Sequence, residues 1–356
     1  MTPLVHLNAG HSLRNPIRMI REAAAGRFRV SSSHLRGHSA ANAEADLVLP
    51  EPRTDPVADP RGFASEMLAT CIGAGVSLLV PQRGVVAIAD EAASFRAAGI
   101  DVMTAGDGDM MRLLDDKWEF TVDAVRAGLP IAITRHASDV DSFDEHVAEI
   151  RGMGLDACIK PPVGVFGAGY WRLDDTQSLF SQIMNPDARR IATAVARDAV
   201  ASASADDRLL VCEHLPGDEW SVDAVCEDGR TIMAVARVKQ GPVQTLHVDG
   251  AAMETAKATI ALFGLSGIVN VQMKERRDGV PALLEVNARM SGGCMLTAFS
   301  GVNLPYAAMA LRLGIVTEDQ IPVPLGGAKV TSIGDAVVVA GGDGTRAAFS
   351  NLRFGN

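Results

Sequence analysis

Short apolar runs alternate with amphipathic stretches over the first hundred or so residues of the chain. Strand-like runs at residues 5–8, 27–31, 45–50 and 76–80 are interleaved with stretches of helical spacing at 15–25, 63–72 and 89–98. Strands that alternate with helices in this way are typical of a parallel sheet covered on both faces. The helix at 63–72 is predicted to end at Gly73. No G-x-G-x-x-G follows the first strand, so the dinucleotide-binding fingerprint is missing there.

From about residue 113 onward, polar side chains occupy positions at which a core strand should be apolar. The clearest case is LLEVNARMSGG at residues 283–293. Alternation along a strand would put Glu285, Asn287 and Arg289 on one face and the apolar residues on the other. An acid, an amide and a guanidinium on one face of an apolar strand are costly unless they bind something. The alternative is the solvated face of an edge strand.

The preceding apolar strand supports the binding interpretation. It reads GIVNVQM at residues 267–273 and is followed by the turn-like sequence KERRDGVP. A hairpin would place Gln272 beside Glu285 and Asn287, giving three oxygen donors around one position. Such donors suit Mg²⁺, and Arg289 could bind a phosphate or a carboxylate through its guanidinium.

A glycine-rich loop is the second candidate site. A strand at residues 157–159 leads to Lys160 and to a loop that contains Gly164, Gly167 and Gly169. Glycine lets backbone N–H groups approach an anion closely, and a neighbouring lysine supplies positive charge for phosphates. The sequence is not a P-loop, and an ordinary hairpin turn is the alternative. Lys117, at a predicted helix start, could also bind phosphate, against the alternative of a solvent-facing lysine.

Two acidic residues flank a predicted turn at residues 209–225, LLVCEHLPGDEWSVDAV. Glu213 ends an apolar strand, where the adjoining backbone could hydrogen-bond an adenine edge. Glu219 begins the next strand and could hold ribose hydroxyls. The alternative is that both are surface acids beside a turn.

Composition narrows the function classes. The 356 residues are 47% hydrophobic and 21% charged, which is the balance of a soluble globular protein. A net charge of −10 without a basic stripe, and only 4% aromatic residues, argue against nucleic acid as a partner. The beginning of the chain lacks a signal-peptide pattern, and no apolar run approaches the roughly 20 residues that span a bilayer. Five scattered cysteines without CxxC spacing indicate reduced thiols, so we expect a cytoplasmic protein with no membrane partner.

Taken in order, these motifs resemble the ATP-grasp enzymes of the carbamoyl-phosphate-synthetase-like branch over about residues 113 to 314. The most specific stretches are Glu285-Val-Asn287-Ala-Arg289 and the Pro-Gly-Asp-Glu turn before residue 220. The resemblance implies an α/β fold with α+β lobes. Its parts would be a Rossmann-like preATP-grasp domain with a parallel sheet at 1–112, a lid subdomain at 113–212, a catalytic subdomain with an antiparallel sheet at 213–320, and a C-terminal extension at 321–356. The valine-rich run at 336–340 would form a terminal hairpin or covering strand.

The resemblance also implies a role for each candidate residue. The nucleotide would be held through its phosphates, adenine and ribose by Lys117, Lys160, Gly164, Gly167, Gly169, Glu213, Leu215 and Glu219. Mg²⁺, with Mn²⁺ as an alternative, would be held by Gln272, Glu285 and Asn287. Arg289 and Lys160 would be catalytic, with Arg289 on the transferred phosphoryl group. Candidates for the substrates, each equally open to a structural role, are Ser291, Gly292, Gly293, Arg237, Lys239 and His247.

The activity implied is ATP-dependent ligation of a small carboxylate to a small amine. The carboxylate would attack the γ-phosphate to give an acyl phosphate, and an amino-acid-like amine would displace phosphate to form an amide or peptide bond. Two alternatives stay open: a phosphotransferase that forms an acyl or carbamoyl phosphate, and a nucleotide-binding protein without turnover. Carbamoyl-phosphate synthetase and biotin carboxylase activities are disfavoured, because the chain has one ATP-grasp module and lacks the length for a biotin carboxylase tail. A homodimer is an option by family habit.

Overall fold

The computed structural model divides into two compact units, each of which is assembled from separate parts of the chain. Unit 1 comprises residues 1–112, 221–271 and 287–356, and unit 2 comprises residues 113–220 and 272–286. The residues that the structure describes are 2–8, 13–36, 39–164, 167–204 and 207–332. The predicted strand at 336–340 lies outside these ranges.

The N-terminal part of unit 1 is a five-stranded sheet in which every recorded pairing is parallel. Its order is β3-β2-β1-β4-β5, where the strands are β1 Leu4–Asn8, β2 Arg29–Ser33, β3 Leu47–Val48, β4 Leu78–Val80 and β5 Asp101–Val102. The helices are α1 Arg14–Ala24, α2 Pro60–Ala74, α3 Val85–Asp90, α4 Ala92–Ala97 and α5 Gly108–Asp115. The predicted parallel sheet is therefore confirmed.

Alternation along the central strands explains why helices cover both faces. On β4, Leu78 belongs to a buried cluster with Ile17 of α1, whereas Leu79 belongs to a second cluster with Phe63 of α2 and Phe95 of α4. Successive side chains of a strand point to opposite faces, so each face of the sheet has its own apolar layer.

Local boundaries differ from the prediction where two signals competed. The helix predicted to stop at Gly73 continues to Ala74, and Gly75 takes the left-handed conformation (φ 68°) with its N–H bonded to the carbonyl of Cys71. Of two glycines two residues apart, the second forms the cap, because the helix is still paired at the first. The helix predicted at 89–98 is divided into α3 and α4.

Unit 2 is built on a second five-stranded sheet of order β6-β10-β7-β8-β9. Its strands are β6 Thr134–Ala137, β7 Ala157–Lys160, β8 Trp171–Leu173, β9 Arg190–Ile191 and β10 Leu209–Glu213, and its helices are α6 Lys117–Arg126, α7 Val140–Gly152, α8 Leu179–Met184 and α9 Thr193–Ala201. β10 pairs antiparallel with β6 and with β7. The apolar face of α7 packs against this sheet through Phe143, Val147 and Ile150.

The third sheet has six strands in the order β15-β14-β11-β12-β13-β16. The strands are β11 Glu219–Glu227, β12 Arg230–Gln240, β13 Val243–His247, β14 Gly267–Glu275, β15 Pro281–Asn287 and β16 Lys329–Thr331, accompanied by α10 Ala251–Leu262 and α11 Leu304–Arg312. β13 pairs antiparallel with β12 and β16. The boundaries between the units fall within β11, β14 and β15.

No single helix in the described ranges is long and apolar enough to cross a membrane. The segments Cys294–Ser300 and Leu304–Arg312, bent by 93° at their junction, pass such a test only as a pair, by length and composition.

Candidate functional site

Lys117 brings together three stretches of unit 2 that the sequence had singled out separately. Its Nζ donates a hydrogen bond of 2.8 Å to the carbonyl of Gly164 and lies 3.3 Å from Oε2 of Glu285. The lysine side chain is only 12% exposed, so it is not the solvent-facing residue of the alternative interpretation. A phosphate candidate, the glycine loop and a metal-ligand candidate thus converge on one ammonium group.

The start of α6 fixes the position of this lysine. Asp116 caps the helix by accepting hydrogen bonds from the N–H groups of Trp118 and Glu119. The Lys117 N–H donates to the carbonyl of Pro162 at 2.9 Å. An N-cap of this kind holds the first turn at a defined angle, so the ammonium is aimed from a rigid element.

The glycine loop begins directly after β7, whose last residue is Lys160. Lys160 is half-buried at the end of that strand. Gly167 and Gly169 have φ of 64° and 73°, a conformation that residues with a Cβ rarely adopt. A Cβ at Gly169 would also lie 2.7 Å from Cδ of Pro161, so only glycine fits there.

Glu213, at the end of β10, is buried, with a 5% exposed side chain, and is not a surface acid. Its N–H donates to the carbonyl of Ile133 at 2.8 Å, and the Ile133 N–H lies 3.4 Å from the Glu213 carboxylate. The Arg276 Nε is 4.0 Å from the same carboxylate. Leu215 packs in a small apolar cluster of the same unit with Ala132, Ala282 and Leu284. An apolar surface beside a strand end suits a flat heterocycle such as adenine.

Glu219 is the first residue of β11 and is half-buried. The adjacent Trp220 is anchored, because its Nε1 donates to Oε1 of Glu275 at 2.8 Å. The Gly217 N–H donates to the Glu275 carbonyl, which fixes the Pro-Gly turn against the end of β14. Glu219 thus starts the strand from a tethered turn.

The predicted metal ligands lie on neighbouring strands. Gln272 is on β14 and Glu285 and Asn287 are on β15, all three half-buried, and the strands are joined by a turn in which the Arg276 N–H donates to the Val280 carbonyl. The predicted hairpin is therefore present. In the described ranges no group of three His, Cys, Asp or Glu side chains could hold a metal. The candidate set itself consists of one carboxylate and two side-chain amides.

The strand was predicted to continue through Arg289, and this is wrong. β15 ends at Asn287, and residues 288 and 289 form a bend in unit 1. Arg289 is half-buried there, with its Nη1 3.4 Å from the carbonyl of Met290. The small residues Ser291, Gly292 and Gly293 that follow let the chain turn away from the sheet direction.

Arg237, a substrate candidate in unit 1, lies instead in a buried polar network. Its guanidinium donates to Asp223 (2.9 Å), Ser221 (2.9 Å), Gln244 (2.7 Å) and Ser291 (3.0 Å). The arginine side chain is 2% exposed and that of Asp223 is fully buried. Asn270 of β14 donates to both Asp223 and Ser221, completing the network. Its hydrogen bonds are thus made within the protein.

The remaining substrate candidates of unit 1 are close in the sequence to residues of this network. A Cβ at Gly293 would collide with the Arg237 guanidinium, so glycine is required at that position. Lys239 on β12 is paired in register with Gln244, and His247 is the last residue of β13. Both are half-buried and both have polar interactions of their own.

Sequence reasoning missed an aromatic pair beside the adenine candidates. The Tyr170 hydroxyl lies 2.6 Å from Nδ1 of His214, the residue between Glu213 and Leu215. Burial, followed by the nearby positive charge of Arg172, lowers the pKa of His214 to about 4, and burial raises that of Tyr170. The imidazole is therefore neutral near pH 7 and hydrogen-bonded to the Tyr170 hydroxyl. The adjacency of His214 to two candidates was the available signal.

Comparison with models of known protein families gives a match to part of the chain. Residues 205–336 match the family model described as "ATP-grasp in the biosynthetic pathway with Ter operon". No curated protein matches the sequence.

Solved structures match over most of the chain at low identity. The L-amino acid ligase from Bacillus licheniformis has a TM-score of 0.61 and 14% identity, with 90% of this chain and 77% of that one covered. N5-carboxyaminoimidazole synthetase from Staphylococcus aureus has a TM-score of 0.64 and 9% identity, with coverages of 90% and 80%. A biotin carboxylase–β,γ-ATP complex from Campylobacter jejuni has a TM-score of 0.62 and 12% identity, with coverages of 90% and 73%. The expected ATP-grasp fold is confirmed, and residues 205–336 match an ATP-grasp family.

Proposed function

We propose that the protein is an ATP-dependent carboxylate–amine ligase that forms an amide or peptide bond between small, amino-acid-like substrates and releases ADP and phosphate. One observation carries the proposal: Lys117 lies against both Gly164 of the glycine loop and Glu285 of the Glu-x-Asn motif. An ammonium group held between a loop that suits phosphate and a carboxylate that suits a metal is what phosphoryl transfer requires.

The donor set fits Mg²⁺. One carboxylate and two amides offer oxygen ligands from β14 and β15, and hard oxygen donors with few formal charges suit a cation that also binds phosphates. Glu285 attracts the Lys117 ammonium, so its position favours a positive partner. We assign Gln272, Glu285 and Asn287 to Mg²⁺; Mn²⁺ also accepts octahedral oxygen coordination. When bound, the metal would supply charge neutralisation at the nucleotide phosphates.

The chain's own residues would then act as follows. The apolar cluster around Leu215 and the backbone at Glu213 would hold the adenine, and Glu219 would hold the ribose. Lys117 and Lys160 would neutralise phosphate oxygens, with the loop of Gly164, Gly167 and Gly169 over them. Arg289 would contact the transferred phosphoryl group. A substrate carboxylate oxygen would attack the γ-phosphorus while ADP leaves, and the amine would then displace phosphate from the acyl carbon.

A further set of residues is proposed to bind the two substrates. Gly292 and the backbone beside Ser291 and Gly293 could present N–H groups to a substrate carboxylate, and Lys239 and His247 could supply further polar contacts. Arg237 would act through Ser291 by fixing this loop. The solved L-amino acid ligase, which shares the fold, supports amino-acid-like substrates. A cytoplasmic location fits an enzyme that consumes ATP, and a homodimer is part of the proposal only by analogy with the fold.

The test combines ATP and Mg²⁺ with a panel of carboxylates and amines, with phosphate release and product mass as readouts. A ligase releases phosphate only when an acid and an amine are both present, and its product has the summed mass of the two less one water. Phosphate released with an acid alone would replace the proposal by a phosphotransferase, and nucleotide binding without turnover would replace it by a binding protein.

A variant pair tests the assigned site. Glu285→Ala should lower turnover by about 10²-fold or more, the scale expected for loss of one electrostatic stabiliser, while the circular dichroism spectrum stays unchanged. Glu119→Ala, which removes an exposed carboxylate of α6, is the matched control and should keep full turnover. Near-normal turnover in Glu285→Ala would refute the metal assignment.

A further inference from the structure

Two cysteines of unit 2 face each other across neighbouring strands. Cys158 on β7 is the register partner of Cys212 on β10, and the two strands are antiparallel. Directly opposed residues of such a pair have Cα atoms about 4.5 to 5.5 Å apart. A disulfide needs a Cα separation of about 4.4 to 6.8 Å. We propose that Cys158 and Cys212 form a dithiol modification site that peroxide converts to a cross-strand disulfide.

The two thiols lie in one buried cluster and have polar neighbours. Both thiols are buried in a cluster that includes Leu210, Trp118 and Tyr170. The single proton of the Cys158 thiol has two acceptors within reach, the carbonyl of Glu213 at 3.6 Å and the Cys212 sulfur, and is donated to one of them at a time. A hydrogen bond from Cys158, together with the charge of Lys160, lowers the pKa of the Cys212 thiol, whereas the pKa of Cys158 is raised.

The other three cysteines of the chain provide an internal contrast. Cys71 lies in α2, Cys226 in β11 and Cys294 in the segment Cys294–Ser300, and all are buried in unit 1. Burial raises the pKa of each of these thiols, to about 12 for Cys71 and Cys226. Buried thiols whose pKa is raised stay protonated near pH 7 and are poor nucleophiles, so these cysteines should stay reduced under conditions that oxidise the pair.

The oxidation balances with hydrogen peroxide as the oxidant. The Cys212 thiolate attacks one peroxide oxygen, forming a sulfenic acid, and the released hydroxide takes up a proton to become water. The Cys158 sulfur then attacks the Cys212 sulfur, the S–S bond forms, and the sulfenic oxygen leaves as a second water with the Cys158 proton. The two sulfurs together lose two electrons, which reduce one peroxide to two waters. Because the thiols are buried, a small oxidant would reach them through local opening of the strands.

The disulfide should also affect nucleotide binding, and this second consequence rests on the proposed function. Lys160 is two residues after Cys158 on β7, and Glu213 directly follows Cys212 on β10. The backbone separation already suits a disulfide, but closing the S–S bond to about 2 Å would draw the two side chains together and displace the adjoining residues slightly. A misplacement of about 1 Å can lower a reaction rate by up to about 10²-fold, and for binding we expect a smaller effect, a fall in ADP affinity of about tenfold.

The experiment treats the full chain with hydrogen peroxide, blocks remaining thiols with N-ethylmaleimide under denaturing conditions, and measures the intact mass. Of the five cysteines, two should escape labelling and three should be labelled. Digestion should give a peptide pair joined through Cys158 and Cys212, and dithiothreitol should restore labelling of all five. In Cys158→Ser and Cys212→Ser the crosslink should disappear, whereas in the control Cys226→Ser it should persist.

Several results would overturn the proposal. These are full labelling of all five cysteines after treatment, crosslinks that involve Cys71, Cys226 or Cys294, and a stable sulfinic acid at Cys212 without a crosslink. The labelling result is independent of nucleotide. A disulfide that forms without a change in ADP affinity confirms the modification site and removes its coupling to the proposed nucleotide site.

Discussion

The buried pair of Arg237 and Asp223 leads to a prediction about stability. Replacing Arg237 by methionine keeps the apolar length of the side chain but leaves the Asp223 carboxylate, which is fully buried, without its cation. Asp223 would keep one hydrogen bond, from Asn270. Ser221, Ser291 and Gln244 would each lose a charge-assisted donor.

The expected loss of stability follows from the buried Asp223 charge that remains after the substitution. Removal of one partner of a buried ion pair costs about 3–5 kcal/mol, because the remaining charge is uncompensated. The surviving Asn270 contact places Arg237→Met toward the lower end, at about 3 kcal/mol. The double variant Arg237→Met/Asp223→Asn removes both charges and should recover part of this loss.

The assay must report on unit 1. All three tryptophans (Trp118, Trp171 and Trp220) belong to unit 2, so their fluorescence monitors that unit. Amide hydrogen exchange of β12, which carries Arg237, monitors unit 1. We expect β12 protection to fall in Arg237→Met, while the fluorescence transition of unit 2 in urea changes little.

Two results would refute this reasoning. If Arg237→Met lowered the free energy of unfolding by less than about 1 kcal/mol, the Arg237–Asp223 pair would contribute no more than an exposed ion pair does. A variant of unchanged stability with a raised KM for one substrate would show that Arg237 binds substrate directly.

Two further predictions concern backbone strain and pH. In urea unfolding followed by tryptophan fluorescence, Gly169→Ala should destabilise unit 2 by about 1–3 kcal/mol more than the control Gly154→Ala. Both glycines have φ near +74°, but only a Cβ at Gly169 would collide with Pro161. Equal losses of stability in the two variants would exclude the collision. Burial lowers the pKa of His6 to about 4, against about 6.5 in the unfolded chain. The folded state therefore resists protonation of His6, and the free energy of unfolding should fall by about 3 kcal/mol as the pH is lowered from 6.5 to 4. Urea unfolding followed by circular dichroism should show this slope in the native chain and not in His6→Asn, and a slope of equal size in both would assign it to other groups.

The parallel sheet was predictable because its determinants are local. Apolar runs of strand length separated by helical periodicity require no knowledge of distant residues, and β1, β4 and α1 lie within about two residues of their predicted bounds. Ends were less predictable. Gly73 and Gly75 are both suitable caps by residue type, and hydrogen bonding of the preceding turn decides between them.

The candidate residues were predictable as types, and their contacts were not. Lys117 and Glu285 are more than 160 positions apart, so their ion pair follows from the arrangement of α6 and β15 within unit 2. Ser221 and Asp223 alternate with apolar residues along β11 as on a solvated strand face, but both are buried and hydrogen-bonded to Arg237 and Asn270. The opposition of Cys158 and Cys212 likewise depends on strand register, which single-strand patterns do not encode.

The charge of the Glu-x-Asn motif constrains how the site can work. Gln272 and Asn287 are neutral, so Glu285 supplies the only formal negative charge that this candidate set offers to a dication. A single carboxylate leaves a divalent ion undercompensated, and nucleotide phosphates are the natural source of the missing charge. Until they arrive, the carboxylate is balanced by Lys117, which also contacts the glycine loop. Phosphates that enter this site would attract the same ammonium and release Glu285 for the metal. At the proposed site we therefore expect metal binding to depend on nucleotide binding, because the Lys117–Glu285 ion pair must be released first.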